Sequence, residues 1–484
     1  MIWTNPNEYD DDVEPLVLIY QEAEDEIIAE IARLLAEEKN AGTMAWYINR
    51  LAQTKKLDAK VLKILASKSQ MTDKAVKQAV FQALTKNAQR YASTIKRASD
   101  DGLFGRTTKG MTKEELLKRS SEIAERFKKD RLDEINRNAV ESANSTYRRT
   151  IGQLFMDVRS KVKDFITSLV EKLRGIGEEG ISGGTYLREG NVVVRTPIDT
   201  RVKREMVTQL VQESNRMMLE QCERDGYEYV EISAHMGART GKKGFFPTIE
   251  NPDPTNHAWW QGKVYKIHGE EEGYPNLVKT TGYGTITGLA GINCRHHIFP
   301  FIPNVSERSQ PDIDEEENAR IYELTQKQRY LEREVRKAKR ELEAVKYSDD
   351  EEAIKKAKSK LSVKQKNLRE FLKENEKDST YIYRQPDRVG NGLMRYELDI
   401  QMFAEKDLRY QKLNQLEKGI KSLQKRVEEH QYKIQNPELF DMNWGLKSEQ
   451  QRNGMLKYWQ KEISRYEKEI QERRDEIERR KGNE

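Results

Sequence analysis

The chain has 484 residues and a mass of 56.6 kDa, more than one ordinary domain, with charged residues at 35% nearly equal to hydrophobic ones at 36%. The apolar run Leu16–Tyr20 is far short of the roughly 20 residues a bilayer span needs, and no signal-peptide pattern precedes it, so a soluble protein made inside the cell is expected. Lys and Arg total 86 against 81 Asp and Glu, and the signs are interleaved, which favours salt-bridged helix surfaces over a one-signed nucleic-acid patch; two cysteines exclude a disulfide scaffold.

From about residue 15 to 95 the pattern predicts several short helices. Ile27, Ile28, Ile31, Leu34 and Leu35 form the stripe of an amphipathic helix. Thr43 reads as the N-cap of a second, ahead of Trp46, Ile48 and Leu51, and Leu62, Leu65, Val76, Val80 and Leu84 continue in the same style. Asp101-Gly102 and two further glycines break the run, and residues 112–174 predict one or two long helices with Leu116, Leu117, Ile123, Ile135, Val140, Ile151 and Phe155 inward. Gly175 to Gly190 reads as a glycine-rich interruption, Val192–Val194 as a short strand and 201–225 as helix. Alternation over 228–235 predicts a strand, with Val264–Ile267 and Ile298–Phe301 as further strands.

The last third carries heptad spacing. Ile321, Leu324, Gln328, Leu331, Val335, Ala338, Leu342 and Val345 form one seam, which resumes at Ile354 beyond a breaker at 346–350. Leu413 to Ile434 repeats the pattern, Asn436-Pro437 ends it, and Trp459, Ile463, Tyr466, Ile470 and Ile477 line a last helix. The expected fold is mostly α, with a small central α+β domain and C-terminal antiparallel coiled-coil helical hairpins. Its expected parts are helical regions at 1–110 and 111–174, the α+β domain at 175–305, hairpins at 313–378 and 401–484, and a linker at 379–400.

Chemistry concentrates in the centre, where five of six histidines and both cysteines fall between residues 222 and 297. Gly237–Lys243 has one residue too few between its glycines for a phosphate loop, and Gly282–Gly288 lacks the following helix of a dinucleotide fingerprint. His235, His257, Cys294 and His296 are the candidate ligands of a structural zinc, although no CxxC or HxxxH spacing is present. The rival reading is a hydrogen-bonded polar core. A catalytic Cys294–His pair would need a lowered thiol pKa and a third orienting group, which sequence does not supply. His430 falls on a heptad seam and reads as a core-edge residue.

The motifs Ser233-Ala-His235-Met-Gly237-Ala-Arg239, His257-Ala-Trp-Trp260-Gln261-Gly262-Lys-Val-Tyr265, Thr281-Gly-Tyr283-Gly284, Gly288-Leu-Ala-Gly-Ile-Asn293-Cys294-Arg295-His296 and Phe299-Pro-Phe301 resemble the phage minor capsid protein 2 family, over roughly residues 10–305. The resemblance implies a structural, non-enzymatic virion protein near the portal vertex, in several copies. It implies portal and major capsid proteins as partners, packaged DNA as a further one and no membrane. No catalytic residue is carried over. Residues 240–256 and the charged helices after 305 depart from the family pattern. Two rival functions are a nucleic-acid-contacting head protein that assists packaging or ejection, and a Cys/His enzyme. On the family reading, residues 1–305 suffice to hold the portal protein, through apolar stripes such as Ile27, Ile31 and Leu34–Leu35.

Overall fold

The computed structural model describes residues 7–37, 41–100, 111–188, 192–241, 244–378, 413–439, 444 and 449–481. The break expected at 101–110 and the linker expected at 379–400 lie outside the described residues. The chain divides into two compact units, residues 1–398 and 399–484.

The first unit is built around α1 (Glu8–Ala36). Val13, Leu16, Tyr20, Ile27, Ile31, Leu34 and Leu35 recur at helical spacing and are all buried, against α3 (Thr54–Asp100) and α7 (Ile198–Asp225). This corrects the expectation that Ile27, Ile31 and Leu34–Leu35 offer an exposed docking stripe. Nor are there several short helices over 15–95, since α3 runs unbroken for 47 residues. Thr43 does cap α2 (Met44–Ala52), its Oγ1 accepting from the Trp46 N–H at 3.2 Å. Trp46 is buried, but Ile48 and Leu62 are exposed, and the inward positions at the start of α3 are Leu57 and Val61.

The segment 112–174 contains α4 (Lys113–Phe127), a π-helical turn at Lys128–Leu132, α5 (Asp133–Arg159) and the start of α6 (Phe165–Glu179). Gly175 and Gly177 therefore lie inside a helix rather than in a break. β1 (Ser182–Arg188) and β2 (Val192–Pro197) form an antiparallel pair after it. β3 (Tyr229–Ile232) is central in a three-stranded antiparallel sheet, between β4 (Val264–Lys266) and β5 (Ile298–Phe301). Pro300, which cannot donate to a ladder, sits on edge strand β5.

α10 (Glu315–Val345) and α11 (Glu351–Glu374) meet through Val335 and Leu368, with Leu331, Leu361 and Leu372 packed around them; two short helices, α8 (His257–Trp260) and α9 (Leu277–Thr281), precede them. α10 is not a free arm. A second face of it buries Arg336, Arg340 and Glu341 against α1 and α6. Asn318, at its start, donates to the Ala238 carbonyl at 3.0 Å and accepts from the Ala238 N–H at 2.9 Å. A chain cut at residue 305 thus loses part of its own core, and 1–305 is not a natural fragment.

In the second unit, α12 (Leu413–Gln435) and α13 (Glu449–Lys481) pack through Leu423, Tyr466 and Ile470, with Ile420 and Val427 alongside. His430 rests edge-on against Tyr466 with ring centroids 5.6 Å apart. α12 ends just before Asn436-Pro437, because a proline removes the donor that would continue it.

Candidate functional site

The stretch Cys294–His297 leads into β5, and the contacts of its side chains divide between two sides. Arg295 and His297 turn towards α1. Arg295 reaches Asp10 at 2.9 Å, and His297 Nδ1 lies 3.3 Å from the Tyr9 hydroxyl and 3.4 Å from an Arg90 nitrogen. Cys294 and His296 turn the other way, towards α8. The backbone on either side of His297 is gripped by Asn215 of α7, which donates to the His296 carbonyl at 3.0 Å and accepts from the Ile298 N–H at 3.1 Å. His297 is further held by Ser233, whose Oγ accepts its N–H at 2.9 Å.

The second group is a stack of rings. His235 and His296 lie 4.5 Å apart between centroids at an interplanar angle of 25°, and His296 is edge-on to Trp260 at 4.7 Å and to His257 at 5.3 Å. His257 and Trp260 share one turn of α8 at 4.5 Å. Trp260 donates its indole N–H to the Pro254 carbonyl at 3.1 Å, and the Tyr265 hydroxyl donates to the Trp260 carbonyl at 2.7 Å. Gln261 Oε1 accepts the His235 N–H at 3.0 Å and faces His296 Nε2 at 3.1 Å. His235, His257, Cys294 and His296 are all buried.

The glycine-rich loop between α9 and β5 folds back on itself. A Cβ on Gly288 would stand 2.3 Å from the Gly282 carbonyl oxygen, and one on Gly291 2.4 Å from that of Thr285, so only glycine fits these two close approaches. Ala290 and Asn293 adopt positive φ, an expense the surrounding contacts sustain. Arg239 pins the loop by donating to the Thr287 carbonyl at 3.3 Å and the Ile292 carbonyl at 2.9 Å. His257 Nε2 shares the Thr287 carbonyl at 2.8 Å.

Burial sets the electrostatics. Desolvation lowers His235 and His257 to about 4 and His296 well below its ordinary value, so all three rings are neutral near pH 7. The same desolvation pushes the Cys294 thiol up, the reverse of what a thiolate nucleophile needs.

The sequence-predicted residues therefore gather in two shells. His235, His257, Trp260, Gln261, Cys294 and His296 form the centre. Arg239, Gly288 and Asn293 shape the loop, Arg295 ties it to α1, and Tyr265 supports α8. Gly262 has positive φ and its carbonyl accepts from Arg308 at 2.9 Å; Gly284, also at positive φ, donates its N–H to the Leu289 carbonyl. Tyr283 is half-buried at the rim. Of the four candidate ligands, His257, Cys294 and His296 bring their donor atoms within 4.8 Å of one another, whereas His235 stands outside that group. His268 is remote in role, paired with Glu223 at 2.9 Å on the surface. Sequence reasoning missed Asn215, Gln310 and Asn318. Gln310 Oε1 accepts the Ala234 N–H at 2.9 Å. No periodicity distinguishes such a buried amide from a solvated one.

The centre is a closed stack of rings locked into a helical frame. The chain belongs to the phage minor capsid protein 2 family, which matches residues 4–373. The match extends through α10 and α11, beyond the limit near 305 expected from the motifs. A structural protein of Lactococcus phage mv4 is 36% identical over 115 residues, 24% of this chain and 89% of that protein. A structural protein of Lactococcus phage LL-H is 32% identical over 139 residues, 28% of this chain and 36% of that longer relative. No solved structure matches the chain.

Proposed function

We propose that this protein is a non-enzymatic component of the virion that sits at the portal vertex and acts in head assembly. The observation that carries the reading is the family match over residues 4–373, almost the whole of the first unit. The full burial of Cys294, closed off from any substrate, supports a structural centre over the Cys/His enzyme. A portal ring is multivalent, so weak individual contacts hold through avidity.

The docking surface lies on the first unit, with the α2 face Met44, Ile48 and Leu51 in place of the buried α1 stripe. These three residues recur at helical spacing and are 53%, 58% and 37% exposed. The heptad seam of α12 and α13 closes as an antiparallel coiled coil that reaches towards major capsid protein or DNA. Interleaved charges suit weak, salt-sensitive contact with DNA.

Co-expression of residues 1–398 and 399–484 separately with the cognate portal protein tests the assignment. Recovery of portal protein with 1–398 is expected; recovery with 399–484 alone overturns it. In the full chain, Ile48→Asp is expected to reduce portal recovery while leaving stability within about 0.5 kcal/mol, as surface changes do. Undiminished recovery would remove α2 from the interface.

A further inference from the structure

Carbonyl oxygens only accept hydrogen bonds, and that fixes the tautomers of three buried rings. Met236 O accepts from His235 Nδ1 at 3.0 Å, and Thr287 O accepts from His257 Nε2 at 2.8 Å. Gln261 Oε1 already accepts the His235 backbone N–H, which orients its amide, so it also accepts from His296 Nε2 at 3.1 Å. Each ring is left with one bare nitrogen: Nε2 on His235, Nδ1 on His257 and Nδ1 on His296. A metal-bound histidine is held in this way, its outer N–H fixed by a carbonyl or carboxylate while the inner lone pair faces the ion.

The spacing fits as well. His296 Nδ1 lies 3.6 Å from Cys294 Sγ. A tetrahedral zinc with Zn–S of about 2.3 Å and Zn–N of about 2.0–2.1 Å separates a sulfur and a nitrogen ligand by about 3.6 Å. The donor atoms of His257, Cys294 and His296 all fall within 4.8 Å of one another. Mixed thiolate and imidazole ligands select zinc among the common divalent ions.

We propose that His257, Cys294 and His296 bind one zinc ion, which fastens the glycine-rich loop before β5 to α8. His235 Nε2, a buried atom with no hydrogen-bond partner among the described residues, lies outside this trio on a ring stacked against His296, and it reaches the fourth position only when that ring turns out of the stack. On binding, the Cys294 thiol gives up its proton to solvent and a sulfur–metal bond replaces the S–H bond. A metal-free polar core explains the Cys294–His296 contact through an S–H donor, but it leaves His235 Nε2 buried and unmatched. The ion is structural: its ligands are buried, and the site joins two segments that flank the same sheet.

Full-length protein purified without a metal-affinity tag is the sample for the test. Elemental analysis is expected to find about one zinc per chain, falling to about a tenth or less in Cys294→Ala, as loss of a ligand implies. Cys222→Ser, which alters the other buried cysteine, is expected to keep the zinc. Gln261→Ala should weaken zinc binding about 10- to 100-fold through the lost support of His296. Because a ligand variant can simply misfold, cobalt is exchanged into the wild-type protein. The intense visible bands of tetrahedral cobalt, with a thiolate-to-cobalt charge-transfer band in the near ultraviolet, are expected; His235→Ala should change the visible bands. Folded wild-type protein that holds no zinc after dialysis against it, and gives no thiolate–cobalt band, would overturn the proposal. An unchanged cobalt spectrum in His235→Ala would remove His235 from the ligand set.

Discussion

Glu24 is fully buried on α1, and its charge is met by two arginines from α10: Arg336 at 2.8 Å and Arg340 at 3.3 Å. Arg336 also reaches Asp25 at 2.9 Å and Asp199 at 3.7 Å, so three carboxylates share two guanidiniums. Arg336→Met would strand part of that charge, and breaking a buried pair costs about 3–5 kcal/mol. A lower urea midpoint with an unchanged slope is the expected outcome, and an unaltered midpoint would mean water reaches the cluster. The network also sets a pH dependence. Burial works to raise the Asp199 carboxyl, but Arg336 and Arg340 outweigh it, with help from Gln21 Nε2 at 3.0 Å, and hold it below its ordinary value. With the folded pKa below the unfolded one, the unfolded chain binds the proton first as pH falls. Ionised Asp199 therefore contributes stability above the unfolded value of about 3.9, and that contribution is lost as pH falls through the folded pKa. The stability difference between wild type and Asp199→Asn is expected to stay constant from neutral pH to about pH 5 and to shrink below about pH 4. Nothing in the heptad pattern marks Arg336 or Arg340, because both stand beside the apolar seam in a helix full of charges.

At the scale of elements, α6 shows how the same residue type serves two ends. Gly177 sits where α6 meets α10, and a Cβ there would stand 2.4 Å from the Glu341 Cα and 2.5 Å from its nitrogen. Gly175, half a turn away, has nothing within 4 Å of its Cβ position. Alanine is favoured over glycine in a helix by about 1 kcal/mol, so Gly175→Ala should raise the melting temperature. At Gly177 the same gain meets a clash with backbone, which costs typically about 1–3 kcal/mol or more, so Gly177→Ala should lower it. Thermal melts of the two variants check the opposite signs, and stabilisation by both would show that α6 and α10 do not approach closely in solution. The two glycines look alike as letters in a run. What separates them is the backbone of Glu341, more than 160 residues further along the chain.

For the molecule as a whole, the first unit needs α10 to close its core. Residues 1–398 expressed alone should unfold in one cooperative transition, whereas 1–305 should be poorly soluble, since it bares α1, α6 and the Glu24 carboxylate. Proteolysis and calorimetry of the two fragments distinguish the cases; a stable, cooperative 1–305 would mean that α10 is an addition to a core already complete. The compact unit that contains α1 ends near 398 rather than near 305.

Much of this was legible in the residues alone. The three central strands, the Thr43 cap, the end of α12 before Pro437 and the inward face of α13 all follow from local rules, because alternation, capping and proline act over a few neighbours. The His, Cys, Trp and Gly motifs also announced where the candidate site lies. The sequence could not say which face of α1 would be covered, that a predicted helical arm would become part of the first unit's core, or which three of four candidate ligands would converge. Those outcomes depend on contacts between segments tens to hundreds of residues apart, where the burial of a charge or the close approach of two backbones is settled only when both partners are in place.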